Sequence, residues 1–182
     1  MNLQAELERA EKQYNEALQR GDVKKDTKQP IFAPAYVSFA ENSLATASII
    51  YDVSKNPEKR ALMNIDNSYS GFMWVVVSSY FSMFYMASAL LAKKCLKVGT
   101  DGTHKHTKNA FLHVYVANHF LDRVLGMDYA ESKELAEDLL GEREKRSKYQ
   151  YNVGIKALET DAELSLKRAR NFFQKTREIV NK

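Results

Sequence analysis

Cysteine, proline and glycine are scarce in this chain of 182 residues, which has one Cys, 3 Pro and 7 Gly. The lone Cys95 excludes an intrachain disulfide. So few turn-forming residues, set against abundant Ala, Leu, Glu and Lys, exclude a strand-and-turn fold and favour long helices. Short catalytic signatures are missing too. There is no glycine-rich phosphate loop, GxSxG elbow, EF-hand loop or His-Glu-x-x-His pair, so the enzyme classes that carry such motifs are excluded. No basic, apolar, small-residue leader opens the sequence, which begins MNLQAELERAEKQY, and a cytoplasmic location is expected. The length suits one substantial core with an appendage. The expected fold is all-α, an up-and-down helical bundle with an additional N-terminal helix.

Charge is also missing where it would be informative. No Asp, Glu, Lys or Arg occurs between Asn67 and Ala92. That run is long enough to cross a bilayer. Ser78, Ser79, Tyr80, Ser82, Tyr85 and Ser88 fall through its middle, however, whereas membrane helices keep Tyr at their ends. A helix apolar nearly all round belongs at the centre of a bundle or where the bundle pairs with a second copy. No membrane contact is expected. A homodimer is, with Tyr80, Phe84 and Ala87 on its interface. The formal charge of +4 is uneven: residues 141–182 hold 11 Lys or Arg against 6 Asp or Glu. That basic surplus suits RNA or a nucleotide phosphate, and equally a solvated helix face.

Periodicity places the helices. Leu3, Leu7, Ala10, Tyr14 and Ala17 form an apolar stripe that stops at Gly21, followed by a polar, proline-containing linker over Asp22 to Pro34. This first helix reads as an arm on the bundle or as a short coiled-coil contact with another chain. Residues 1–35 are thus separated from a bundle over 36–182. A second helix is expected from Pro34 to Ser54, with Asn56-Pro57 starting a short one. A further helix runs from His104 to Leu125. Asp128 to Glu131 and Thr160 to Glu163 match capping boxes that open two more helices. The last carries Ala162, Leu166, Ala169, Phe173 and Val180 on one face.

Ser79 to Leu91, SYFSMFYMASALL, resembles the signature helix of the HEPN domain family, whose pattern is an aromatic pair, a small residue, Met-Phe, an aromatic or His, then Ala and Leu. Lys97, Gly99, Thr103, His104 and the segment through Phe120 are similar to the turn and helix that follow it. Arg143 to Tyr151 resembles the next landmark, and Ala162, Ala169 and Phe173 the final helix. The resemblance covers about Tyr36 to Val180. It implies a nucleotide-, RNA- or partner-binding helical bundle, acting with a minimal nucleotidyltransferase. It also places a His at the turn before the helix from His104, without saying whether His104 or His106 belongs to a cleft.

In nuclease members an Arg is followed after four to six residues by His, which moves a proton while Arg stabilises phosphate charge without a metal. Here Arg143-Glu-Lys-Arg146-Ser-Lys148-Tyr149-Gln150-Tyr151 puts tyrosines at those spacings. Tyrosine, with an ordinary pKa of about 10, is a poor proton acceptor near neutrality. Arg143, Arg146 and Lys148 are the candidate phosphate ligands. The arginines share a helix face, and binding phosphate, pairing with Glu142 and Glu144, or staying solvated are all open to them. Catalytic candidates are Arg143, Arg146, Tyr149 and Tyr151. Tyr151 also resembles the tyrosine that a partner nucleotidyltransferase adenylylates in toxin members. His104, His106, His113 and His119 lack metal-ligand spacing, and neither metal nor cofactor is expected. A binding module without nuclease activity is the leading reading. A metal-independent endoribonuclease and a purely structural interaction bundle are the alternatives.

Overall fold

The computed structural model describes residues 2–117, 129–152 and 154–181. It is an all-α helical bundle with one two-stranded ribbon. The helices are α1 (Leu3–Arg20), α2 (Ala33–Lys55), α3 (Pro57–Leu62), α4 (Phe72–Lys93), α5 (Thr103–Phe111, continuing as a π-helical turn over Leu112–Ala117), α6 (Tyr129–Tyr151) and α7 (Glu159–Asn181).

Local chemistry explains where the first elements start and stop. The Asn2 side chain accepts from the Ala5 amide at 3.4 Å to open α1. Gly21 closes α1 in the left-handed region at φ 78°, its N–H donating to the Leu18 carbonyl. The Asn56 carboxamide oxygen accepts from the Glu58 and Lys59 amides at 2.9 and 3.2 Å, which opens α3 as its sequence predicts. Arg60 reaches back to the Val53 and Ser54 carbonyls at 3.2 and 2.6 Å and satisfies the end of α2. At Gly71 the constraint is space: a Cβ there would lie 2.5 to 2.8 Å from atoms of Ile50, Tyr69 and Ser54.

The apolar stripe of α1, with Val23 and Ala33, belongs to the main core. Leu3, Leu7, Ala10, Tyr14 and Ala17 are buried in the same cluster as Met83, Leu90 and Phe172. The Asn109 amide donates to Gln13 at 2.8 Å, and the His113 ring lies 4.7 Å from that of Tyr14. The segment read as a linker is structured as well. β1 (Val23–Lys25) pairs antiparallel with β2 (Leu96–Val98), Val23 opposite Val98 and Lys25 opposite Leu96. A 3-10 turn over Gln29–Phe32 then leads into α2. The sequence hides this ribbon because three-residue strands leave no alternating pattern to read.

α4 is the axis of the bundle. Val75, Val76, Met83, Met86, Ala87 and Leu90 are fully buried on it. Among the described residues it alone has the length and composition to cross a membrane, and 78% of its most apolar window is buried by its own chain. α2 and α7 lie along it, and α5 and α6 close the remaining sides. Ala40 and Ala47 of α2 and Ala169 of α7 are completely buried, consistent with close helix approach at small residues. Tyr80, Phe84 and Ala87, expected at a dimer interface, are 1, 8 and 0% exposed within one chain. Their partners are α5 and α6, so that face is already used.

α7 starts at Glu159, with the Ala162 amide donating to the Leu158 carbonyl. Thr160 therefore lies inside the helix and no capping box forms there, a shift of the kind that irregular helix ends produce. Its apolar stripe is buried as expected. The Asp128 half of the other capping box lies outside the described residues, as does His119.

Leu7→Ala should cost about 2–5 kcal/mol, the usual range for truncating a buried leucine. Urea unfolding should remain a single transition with a lower midpoint. A separate early transition would show that α1 is an independent arm.

Candidate functional site between α4, α5 and α6

Three helices bring one cluster together. α4 supplies Tyr80, Phe81 and Phe84, which share a face because they stand one, three and four positions apart. The first turn of α5 supplies His104. α6 supplies Arg143 and Arg146 from one stripe. The Tyr80 hydroxyl lies 3.0 Å from His104 Nδ1. The imidazole centroid is 4.4 Å from that of Phe84 and 5.6 Å from that of Phe81. The Arg146 guanidinium carbon is 5.4 Å from the Tyr80 ring, 5.3 Å from Phe81 and 5.6 Å from Tyr151. Arg146 also donates to the Tyr151 hydroxyl at 3.2 Å.

Arg146 is only 8% exposed, and its Nε has no hydrogen-bond partner among the described residues. A closed crevice, too narrow to hold a water molecule, lies between Tyr80, Phe84, His104, Lys108, Leu139 and Arg143. Among the described residues no carboxylate pairs with Arg143 or Arg146. The two buried acids of α6 are committed elsewhere. Glu142, fully buried, holds Lys145 at 2.8 Å and Arg168 at 3.2 Å, and Asp138 holds Arg168 at 2.8 Å. Glu6, 3.6 Å from Lys108 and 2.7 Å from Arg9, is the acid that reaches the edge of the cluster.

The electrostatics follow from that imbalance. Burial, then Arg146 and Arg143, hold the His104 pKa below its ordinary value of 6.5. Burial also lowers Lys108, an effect that Glu6 opposes and Arg143 reinforces. Burial pushes the Tyr80 hydroxyl up to about 12, against the pull of both arginines. Near neutrality the site therefore holds a neutral imidazole, a protonated phenol and two guanidinium ions. A neutral His104 has two tautomers here. Nδ1 accepting from Tyr80 leaves Nε2–H as a donor, and Nδ1–H donating to the Tyr80 oxygen leaves Nε2 as a base.

Of the candidate residues, Arg143 and Arg146 come together, and Tyr151, 66% exposed, accompanies Arg146. Tyr149 does not. It is 4% exposed, packs with Ala162 and Leu166 and donates its hydroxyl to Asp161 on α7. That hydrogen bond is the main cause that pushes its pKa up to about 12, so it is no base at neutral pH. Lys148 lies with Tyr149, its ammonium 5.1 Å from that ring, and so stands apart from the arginines. His106 sits 3.7 Å from Asp22 and His113 stacks on Tyr14, both away from the cleft. Sequence reasoning missed Lys108 and the Tyr80 hydroxyl, and it left His104 unassigned. The one usable signal was the Thr103-His104 turn in the family resemblance. Among the described residues no three His, Cys, Asp or Glu side chains gather as metal ligands would.

His104 should titrate below 6.5 when its C2 proton is followed by NMR, and Arg146→Ala should move it upward. The sign for stability follows by linkage. A depressed histidine pKa means that the unfolded chain binds more protons, so this group's contribution is present above about 6.5 and is lost as pH falls through the folded value. Asp138, raised to about 6 by burial, acts in the opposite sense: its contribution is present below its ordinary 3.8 and lost as pH rises through 6. The difference between unmodified protein and His104→Gln, measured by urea unfolding at pH 7.5 and 5.5, isolates the histidine. The substitution should flatten the loss on acidification, and an unchanged slope would refute the assignment.

No family model matches the chain, nor does any curated protein or solved structure, and the geometry of the cleft is what bears on its role.

Proposed function

We propose that this protein is a HEPN-like helical bundle that binds the phosphate of an RNA or nucleotide in the cleft formed by His104, Lys108, Arg143 and Arg146. One observation carries the proposal: a guanidinium that is nine-tenths buried, beside a second one, with no carboxylate among the described residues to neutralise either. Removing an ion from water costs several kcal/mol, and stacking on aromatic rings returns about 0.5–2 kcal/mol. A phosphate supplies the missing counter-charge through charge-assisted hydrogen bonds to both arginines. Neutral His104 adds a donor in one of its tautomers. The exposed Tyr151 hydroxyl, held by Arg146, is where a nucleotidyltransferase partner would act.

Metal-independent RNA cleavage is a second reading, favoured by the neutral imidazole next to the arginine pair. His104 would take the ribose 2′-hydroxyl proton and the 2′-oxygen would attack phosphorus, giving a 2′,3′-cyclic phosphate as the 5′-oxygen leaves. The leaving oxygen also needs a proton. With Tyr149 turned toward α7, no second histidine stands beside the arginines among the described residues, and binding without turnover remains the leading reading.

Fluorescence anisotropy with a labelled RNA oligonucleotide in chelator tests both. Binding should weaken as salt rises from 50 to 200 mM, with a log–log slope of about −0.7 per neutralised phosphate. Arg143→Gln should lower affinity about tenfold or more and make that slope shallower, while circular dichroism reports an intact fold. The RNA should remain full length. Absence of salt-dependent binding overturns the proposal. Cleavage in chelator that His104→Ala abolishes replaces it with the second reading.

A further inference from the structure

We infer that the groove between α2 and α4 is a nucleobase platform that makes this protein a reader of single-stranded RNA. The inference rests on the reading of Arg143 and Arg146 as a phosphate site, and adds the class of ligand that the site receives. The groove has a volume of ≈340 Å³ and is open to solvent.

Phe81 joins the two features. One face of its surroundings is the Arg146 guanidinium, 5.3 Å away, and it also walls the groove. Its ring stacks on Tyr85 with centroids 6.0 Å apart and planes at 29°. The Tyr85 ring lies 5.5 Å from that of Phe39, which is 50% exposed. Aromatic surface thus runs without a break from the buried cation to the outer face of α2. On the other flank of the same cation stands the Tyr151 ring, 5.6 Å away and 66% exposed. Rings on both sides of a phosphate-binding guanidinium match a base–phosphate–base repeat.

The groove's polar groups fit a base as well. Among the described residues no charged side chain lines it, so it offers a nucleotide's phosphate no partner and a nucleobase no repulsion. The Ser43 and Thr46 hydroxyls spend their protons on the Phe39 and Asn42 carbonyls, each at 2.8 Å. The Asn42 side chain makes no hydrogen bond among the described residues and is exposed, which leaves an amide donor and acceptor for a base edge. A duplex hides its base faces inside the stack, so only an unpaired strand can lay them on Phe39 and Tyr85.

The test compares a labelled eight-nucleotide oligouridine with a blunt RNA duplex of equal length, using the full chain, Phe39→Ala, Phe39→Trp and Arg143→Gln. Phe39 is half exposed, so these variants should keep the fold, and circular dichroism checks it. The single strand should bind at least about tenfold more tightly than the duplex. Phe39→Ala should lose about tenfold of that affinity, within the usual range for one stacked base, and Phe39→Trp should retain it. Equal affinity for strand and duplex overturns the platform. So does a Phe39→Ala protein that binds as the unmodified one does while Arg143→Gln is impaired, which leaves the phosphate reading standing. RNA binding by none of the proteins overturns both. A dimer that Phe39→Ala splits, with RNA affinity unchanged, assigns the groove to a second copy of the chain instead.

Discussion

Burial of one uncharged helix is the constraint on which the remaining structure depends. α4 is apolar on nearly every side, and each large side chain left in water would forgo about 1.5–3 kcal/mol. Two neighbours cannot cover a helix all round. α2 and α7 take the longest contacts, and α5 and α6 complete the enclosure. The N-terminal helix packs in turn on α5 and its π-helical turn, and the short ribbon beyond it ties Asp22 to Gly99 through an amide–carbonyl bond of 2.7 Å. A helix apolar nearly all round suits pairing with a second copy as well as burial, and here Tyr80, Phe84 and Ala87 are covered within the chain by α5 and α6.

That choice produces the cleft. The helix that covers Tyr80 and Phe81 carries a basic stripe, so closing the core forces Arg146 against aromatic rings and out of water. In a purely structural bundle this position would favour an apolar residue or a paired arginine, because an unpaired buried ion is among the costlier defects a fold can hold. The same helix shows that pairing was available. Glu142 takes both Lys145 and Arg168, and the cost of its own complete burial is shared with two cations. The contrast between these two sides of α6 is what supports the proposed anion site at Arg143 and Arg146.

The elements were largely legible in the sequence and their contacts were not. The stripes Leu3 to Ala17 and Ala162 to Val180 fixed two helices and their buried faces, since a period near 3.6 leaves little freedom about which side turns inward. Asn56-Pro57 and Gly21 marked boundaries because their backbone preferences act locally. The ribbon escaped notice because its pairing joins residues some seventy positions apart and rests on backbone hydrogen bonds, which no side-chain pattern announces. Thr160 misled because the sequence matches a capping box placed too late: the helix starts at Glu159, which leaves Thr160 inside it.

Helix geometry also explains why the spacing along α6 does not bring Tyr149 to the arginines. At about 100° per residue, positions 142, 145 and 149 fall on one stripe, and 139, 143 and 146 on another. The first stripe faces α7, where Glu142, Lys145 and Tyr149 find Arg168, Ser165 and Asp161. The second faces α4 and α5, where Leu139 and Arg143 line the crevice. A side chain six residues after Arg143 therefore diverges from it by more than half of the available turn, and an imidazole placed at 149 would meet Asp161. The titratable group that does reach the arginines comes from α5, held in place by the Tyr80 hydroxyl. Its arrival depends on how α5 docks against α4, a tertiary relation that spacing within one helix does not encode.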